Sequence, residues 1–316
     1  MRDISVIIPV YRAELTLTEL AGRLVAALEP ITTNFEILFV EDCGGDRSWE
    51  VIGQLASADK RIRGIQLNRN YGQHNALLCG IRAARYPITV TLDDDLQHPP
   101  EEILLLLAPL DAGADVVYGA PRAEQHGLLR DLASRLTKLA LSSAMGAETA
   151  RNVSAFRAFR TSLRDGFKDY RGPHVSIDVL LTWGTTRFAA VTVQHLPRAA
   201  GQSGYTVGKL VAHAFNLMTG FSTLPLQVAS MMGFGFVLFG VLVMSYILGV
   251  YLLVGRSVPG FAFLASIVTI FSGAQLFALG IFGEYLARMH FRSMDRPAYL
   301  VRQESPVSDK GSGRDV

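Results

Sequence analysis

Residues 91–100, TLDDDLQHPP, carry the densest chemistry in the chain. Three carboxylates, Asp93, Asp94 and Asp95, follow a β-branched, apolar run over 87–92. Such a run, bounded by a proline, reads as a short buried strand. On an extended segment side chains alternate faces, so Asp93 and Asp95 should point one way and Asp94 the other. Two carboxylates converging at a strand's C-terminal end repel each other unless a cation sits between them. Mg2+ or Mn2+ suits such a hard oxygen site, with room for substrate phosphate oxygens. The bland alternative is a helix N-terminus, since Asp is favoured before a helix and Pro99-Pro100-Glu101 suits a first turn. One aspartate can be spent that way; three in a row favour a metal–diphosphate site.

Strand and helix patterns alternate around this stretch. Strands are predicted over 4–10, 35–40, 62–67, 87–92 and 114–118, and helices over 15–28, 47–58, 73–84 and 101–110. That alternation predicts an α/β fold with a mostly parallel sheet covered by helices on both faces. Open sheets of this kind bind ligands at the carboxyl ends of their strands. Those ends carry Tyr11 and Glu14, then Glu41 and Asp42, then Asn68, Arg69 and Asn70, then the aspartates. Each alone reads as a turn or cap residue. Together, at one edge of a sheet, they predict a nucleotide pocket. No G-x-G-x-x-G or G-x-x-x-x-G-K-[ST] stands in the expected place, which argues against dinucleotide and P-loop sites.

Beyond Gly119 the pattern changes. A strand ends at Arg122, and 128–145 reads as an amphipathic helix bearing Arg130, Arg135 and Lys138. A solvated basic face accounts for Lys138, whereas the guanidinium forks of Arg122 and Arg130 suit phosphate oxygens. Residues 153–159 alternate like a strand with Arg157 on its polar side. A helix over 174–183 and a strand over 187–196 precede a glycine-rich polar loop at 198–205.

Between Leu210 and Gly255 there is no Lys, Arg, Asp or Glu. Residues 229–254 and 261–283 are each long enough to cross a hydrocarbon core that needs about 20 apolar residues. A buried core helix is the other reading of such a run. Residues 209–228 are expected to lie in the interface plane. Lys209 precedes the hairpin, and Arg288, His290, Arg292 and Arg296 follow it, while the turn carries only Arg256. By the positive-inside rule a soluble domain over 1–208 and both termini should be cytosolic, with the hairpin multi-pass in the plasma (inner) membrane. The segment 284–316 ends in a polar tail, from residue 303, expected to be disordered. The formal net charge of +2 argues against nucleic acid as a partner, and two widely spaced cysteines, Cys43 and Cys79, fit a reducing compartment. The first apolar run contains Pro9 and reads as a strand rather than a secretory signal.

With these pieces in place the sequence resembles the membrane-anchored family-two glycosyltransferases of GT-A fold, in the polyprenyl-phosphate branch. SVIIPVYRAE resembles that family's opening strand, which usually ends in P-x-Y-N-E. FVEDCGGDRSWE resembles its acidic second-strand motif, and LDDDLQHPPEEI its D-x-D-L-Q-x-P-P-E metal motif. Residues 198–205 resemble R-x-x-G-x-S-K-Y, and FGEYLARMHFRSMDRPAY the segment after the last span. LNRNYGQHNALLCGI looks most like the members that transfer 4-deoxy-4-formamido-L-arabinose to undecaprenyl phosphate.

The resemblance implies inverting, metal-dependent transfer from a nucleotide sugar, UDP-linked, to a polyprenyl phosphate at the bilayer surface by a homo-oligomer, a tetramer in the family. It implies nucleotide contacts from Pro9, Tyr11, Glu14, Asp42, Asp93 and Asp94, and Mg2+ or Mn2+ at Asp95, Gln97 and Asp93. Arg122 and Arg130 would hold phosphates beside the catalytic Asp93 and Asp95. Arg198, Ser203, Tyr205 and Arg157 would grip the lipid phosphate. Three departures stand out: Arg12 replaces the usual Asn, Gly204 the usual Lys, and Ser154-Ala155-Phe156-Arg157 replaces G-D-F-R. The last removes a carboxylate proposed as a base in relatives. The alternative reading is the same reaction with a glucose, N-acetylhexosamine or mannose donor; a processive polysaccharide synthase, which needs a strong base and more spans, and a non-catalytic nucleotide-binding scaffold are the rivals from other classes.

Overall fold

The structure, a computed structural model, describes residues 2–121, 152–172, 175–196, 224–254 and 260–305. The expected helix over 128–145, the loop 198–205, residues 209–223, and with them Arg122, Arg130, Arg198, Ser203 and Tyr205, lie outside the described residues.

Strand β1 (Ile4–Val10) is buried along its whole length and sits inside an eight-stranded sheet. It pairs in parallel with β2 (Phe35–Glu41) on one side and β4 (Ile88–Thr91) on the other. β3 (Ile62–Leu67) extends the parallel set beyond β2. On the far side β6 (Arg157–Arg160) runs antiparallel between β4 and β5 (Val116–Pro121), and β7 (Phe188–Val193) pairs in parallel with β5. β8 (Val301–Ser305) closes the β3 edge antiparallel. The sheet order is therefore β7-β5-β6-β4-β1-β2-β3-β8.

The period-two alternation of β1 assigns its two faces. Val6 and Ile8 join the layer of helices α1 (Leu17–Leu28), α2 (Ser48–Ala58) and α4 (Ile103–Asp111), through Leu20, Leu24, Ile52 and Leu106. Ile7 points the opposite way, into the layer of α3 (Gln73–Ala83) and the short α5 (Ile177–Leu181). A sheet buried on both faces favours near-continuous apolar strands, and ISVIIPV and FEILFV are of that kind, their polar residues Ser5 and Glu36 hydrogen-bonded to each other at 2.7 Å. Gly80 lets α3 approach closely: a Cβ there would stand 2.3 Å from Ile7 Cγ2.

Helices α6 (Leu224–Val254) and α7 (Phe261–Ser293) form the hairpin. Pro225–Val250 and Ile270–Phe291 within them are long and apolar enough to cross a membrane, and neither apolar stretch is buried inside the protein. Residues 224–228, expected in an interfacial segment, belong to α6. α7 continues past the expected end at 283, where its last turns carry the Glu284–Arg288 pair at 2.6 Å.

The chain then returns to the sheet. Asp295 pairs with Arg171, the Asn68 N–H donates to Leu300 O at 2.9 Å, and Arg82 lies 5.6 Å over the Tyr299 ring. β8 follows, so residues 303–305, expected in a disordered tail, are strand. Several expected elements are shorter than their patterns: β4 covers 88–91 of 87–92, α5 covers 177–181 of 174–183, β7 covers 188–193 of 187–196, and β6 covers 157–159 of 153–159 and adds Arg160.

Candidate active site

Three non-glycine residues take left-handed backbone just beyond strand ends: Arg12 (φ 56) after β1, Cys43 (φ 54) after β2, and Leu96 (φ 61) beyond β4. Such conformations are unfavourable and persist only where neighbours hold them. Arg12 donates from Nε to Gly44 O at 3.0 Å, and Gly44 N donates to Glu41 Oε1 at 2.6 Å. A Cβ on Gly44 would meet Arg12 N at 2.8 Å, so that position requires glycine. After Leu96, Gln97 N donates to Asp95 Oδ1 at 3.1 Å. All three bends turn the chain around one mouth at the carboxyl edge of the sheet.

That mouth is a cleft of about 220 Å³. Pro9 and Tyr11 line it from β1, Asp42 from β2, Asn70, Gly72 and Gln73 from the entry to α3, and Asp93, Asp94 and Asp95 from beyond β4. The expected alternation of the aspartates is not what forms. β4 ends at Thr91 and the chain turns, so all three aspartate residues line the same cleft. Asp94 Oδ2 accepts from Tyr11 N at 3.0 Å, and its carbonyl accepts from Thr16 Oγ1 at 2.7 Å. Asp93 Oδ1 accepts from Gln73 Nε2 at 2.7 Å. Asp95 is nearly buried, at 8% exposure.

Asp42 is buried and accepts two backbone N–H groups, from Tyr71 and Gly72, each at 2.7 Å. Burial pushes its pKa up, and those two hydrogen bonds pull against it. It thereby fixes the turn into α3, where Gly72 needs a φ of 93. Glu14 stands elsewhere: its Oε2 accepts from Arg47 N at 2.9 Å, at the start of α2, and it is not among the cleft residues.

The Glycosyl transferase family 2 model matches residues 5–167. The chain is 34% identical, over 95% of its own length and 91% of the relative's, to a Shewanella sediminis protein named undecaprenyl-phosphate 4-deoxy-4-formamido-L-arabinose transferase. A Pseudomonas aeruginosa protein of the same name is 36% identical, over 95% and 89%. The chain belongs to glycosyl transferase family 2. Among solved structures, it is similar to glucosyl-3-phosphoglycerate synthase from Mycobacterium tuberculosis, at 19% identity and a TM-score of 0.49, over 69% of this chain and 78% of that one.

In this family-2 glycosyltransferase, with its GT-A sheet, the donor set in the cleft is carboxylate oxygen. Among the described residues no group of three or more His, Cys, Asp and Glu side chains converges as a finished cation cage. Hard cations such as Mg2+ are commonly held by one or two carboxylates and completed by substrate phosphates, and Asp95 with Asp93 fits that arrangement.

Arg157 is not placed for the lipid phosphate that the resemblance implied. Only 2% of it is exposed; its guanidinium pairs with Asp178 and donates from Nε to Thr91 Oγ1 at 3.0 Å. Alternation had put it on a polar face, but that face is covered by α5. Gln97, expected at the metal, turns Nε2 toward Leu196 O at 3.4 Å.

Two contributors escaped the sequence reading. Gln73 orients Asp93 from the first turn of α3, a role for which its place after an N-terminal glycine was the available signal. His98 is 7% exposed, stacks on Phe156 at 5.5 Å and meets the His195 ring edge at 5.1 Å. Burial, then the neighbouring His195, pulls its pKa down to about 4. It is a neutral wall behind Asp95.

Proposed function

We propose that this glycosyltransferase moves a sugar from a nucleotide-sugar donor to the phosphate of a polyprenyl phosphate at the cytosolic membrane face. The observation that carries this is the joining of two features in one chain. A carboxylate-lined cleft opens at the strand ends, and a two-helix apolar hairpin follows the same sheet. The relatives' names support undecaprenyl phosphate as acceptor and 4-deoxy-4-formamido-L-arabinose as the sugar, UDP-linked in our reading.

Pro9, Tyr11 and Asp42 form the nucleotide side of the cleft, and Asp94 braces Tyr11 through its main chain. Asp95, with Asp93 held by Gln73, would hold Mg2+ or Mn2+. The bound ion supplies charge stabilisation for the departing nucleoside diphosphate. A phosphate monoester has a second pKa near 6, so the acceptor is already largely a dianion at pH 7. It needs positioning rather than a base, which makes the missing carboxylate near Phe156 tolerable. Attack opposite the leaving group inverts the anomeric centre. From their sequence positions, Arg122 and Arg130 are assigned to donor phosphates, and Arg198, Ser203 and Tyr205 to the lipid phosphate.

Membrane placement follows the same reasoning. β8 lies after α7 yet pairs with β3, so an even number of crossings returns the chain to the side of the sheet. The basic residues flanking the hairpin favour the cytosolic side for both. A homo-oligomer belongs to this reading and is testable by native mass spectrometry in detergent. For the reaction, release of nucleoside diphosphate should require both polyprenyl phosphate and a divalent cation. Release without lipid phosphate, or transfer to a sugar hydroxyl, would favour the polysaccharide-synthase reading.

A further inference from the structure

Three polar side chains stand in one row across neighbouring strands near the edge of the sheet. Gln66 of β3 is the register partner of Glu41 in β2 on one side and of Gln303 in β8 on the other. Gln303 Nε2 donates to Gln66 Oε1 at 2.8 Å, and Gln66 Nε2 donates to Glu41 Oε2 at 3.0 Å. A carboxylate only accepts, so the Gln66 NH2 group must face Glu41 and its oxygen is left for Gln303. The row therefore has a fixed direction, from the exposed Gln303 inward to the buried Glu41.

Glu41 is where the row meets the cleft. Its other oxygen, Oε1, accepts from Gly44 N at 2.6 Å, and Gly44 O accepts from Arg12 Nε at 3.0 Å. Arg12 is held in left-handed backbone, with its guanidinium 5.3 Å over the ring of Tyr11, a wall of the donor cleft. The β8 side has a second hold nearby: Asn68 N donates to Leu300 O at 2.9 Å, two residues before the cleft residue Asn70. Gln66 and Gln303 are not among the residues lining the cleft, so they reach it only through this chain of contacts.

We propose that Gln66 is a positioning residue for donor binding: it carries the hold of β8 to Glu41 and so keeps the Gly44–Arg12 bend, and with it Tyr11, in place for the nucleotide. This rests on the functional reading above. The strand that follows the apolar hairpin thereby braces the donor cleft, and donor affinity depends on a segment 237 residues away from Gln66 in the chain. Without the Gln66 amide, Glu41 loses the partner that keeps its other oxygen turned to Gly44.

The test uses full-length protein in detergent, with UDP and Mg2+ as the calorimetric probe. Gln66→Ala should weaken UDP binding roughly tenfold, the size expected for one hydrogen bond to a charged group. Gln66→Glu conserves the volume but sets two carboxylates opposite each other, and should weaken binding at least as much. Glu41→Gln combined with Gln66→Glu reverses the two groups, so every donor again meets an acceptor and affinity should return close to wild type. A packing role alone would leave Gln66→Glu near wild type. Gln303→Ala, on the exposed strand, should weaken binding about threefold, as for a neutral hydrogen bond, and decides the question if a Gln66 variant does not fold. Hydrogen exchange at Gly44 should quicken in Gln66→Ala and Gln66→Glu and slow again in the combined variant. Unchanged UDP affinity in Gln66→Ala or Gln303→Ala, a wild-type Gln66→Glu, no recovery in the combined variant, or unaltered exchange at Gly44 would each overturn the proposal. Exchange needs no nucleotide, so it decides the bracing even if wild type binds no UDP, a result that would overturn the functional reading instead.

Discussion

Arg157 and Asp178 form an ion pair with side-chain exposures of only 2% and 8%, and Tyr118 Oη donates to the same Asp178 oxygen at 3.1 Å. A buried pair is costly to break because the remaining charge stays in a low-dielectric setting. Asp178→Ala should therefore lower stability by about 3–5 kcal/mol, read by chemical denaturation in detergent. The double change Arg157→Met with Asp178→Leu should cost far less. A stable Asp178→Ala protein that has lost only acceptor use would restore Arg157 as a phosphate ligand.

The aspartates separate by role. Asp95→Ala should reduce transfer by about a hundredfold or more while leaving the melting temperature close to wild type, since it removes charge stabilisation of the leaving group. Asp94→Ala removes the brace on Tyr11 and should weaken donor binding. Near-normal turnover of Asp95→Ala at saturating Mg2+ or Mn2+ would contradict the metal assignment.

Gly44→Ala tests how tightly the β1 and β2 loops are locked. Its Cβ would face the Arg12 main chain, which cannot rotate away as a side chain could. The expected cost is about 1–3 kcal/mol, the usual range for overpacking, together with weaker nucleotide binding. Wild-type stability and donor affinity in this variant would show that the two loops move independently.

Much of this arrangement was legible in the chain. Strands that are apolar at all but one position, such as FEILFV with its buried Glu36, announce a sheet buried on both faces, and Asp42 and the aspartates fall at strand ends. Non-local chemistry was not legible. Arg157 reads as exposed until Asp178, far along the chain, is seen to cover it. β8, VRQES, carries a polar edge pattern that no apolar periodicity marks, and it forms because β3 offers an open edge. Glu14 sits near the right strand end but is claimed by the N-terminus of α2.

The return of the chain after α7 makes a prediction about Cys79. Burial pushes its thiol up to about 12, against the pull of a hydrogen bond with Tyr299. The folded state then keeps a proton that the unfolded thiol, near 8.5, releases. Its contribution to stability is complete below that value and declines as pH rises from about 9 toward 12. Wild type should lose more stability over that window than Cys79→Ala. At pH 8 Cys79 should resist alkylation, and Tyr299→Ala should speed it. Rapid labelling of Cys79 in the native wild type would show that the returning segment does not cover α3.

The most direct measurement is mass spectrometry of the lipid product formed by purified protein from undecaprenyl phosphate and a panel of nucleotide sugars. The account predicts a phosphate-linked glycosyl lipid whose mass adds one sugar, formed from UDP-4-deoxy-4-formamido-L-arabinose with Mg2+ or Mn2+ and lost in Asp95→Ala. A product bearing several sugars, a product formed equally well by Asp95→Ala, or intact lipid phosphate with every donor would contradict it.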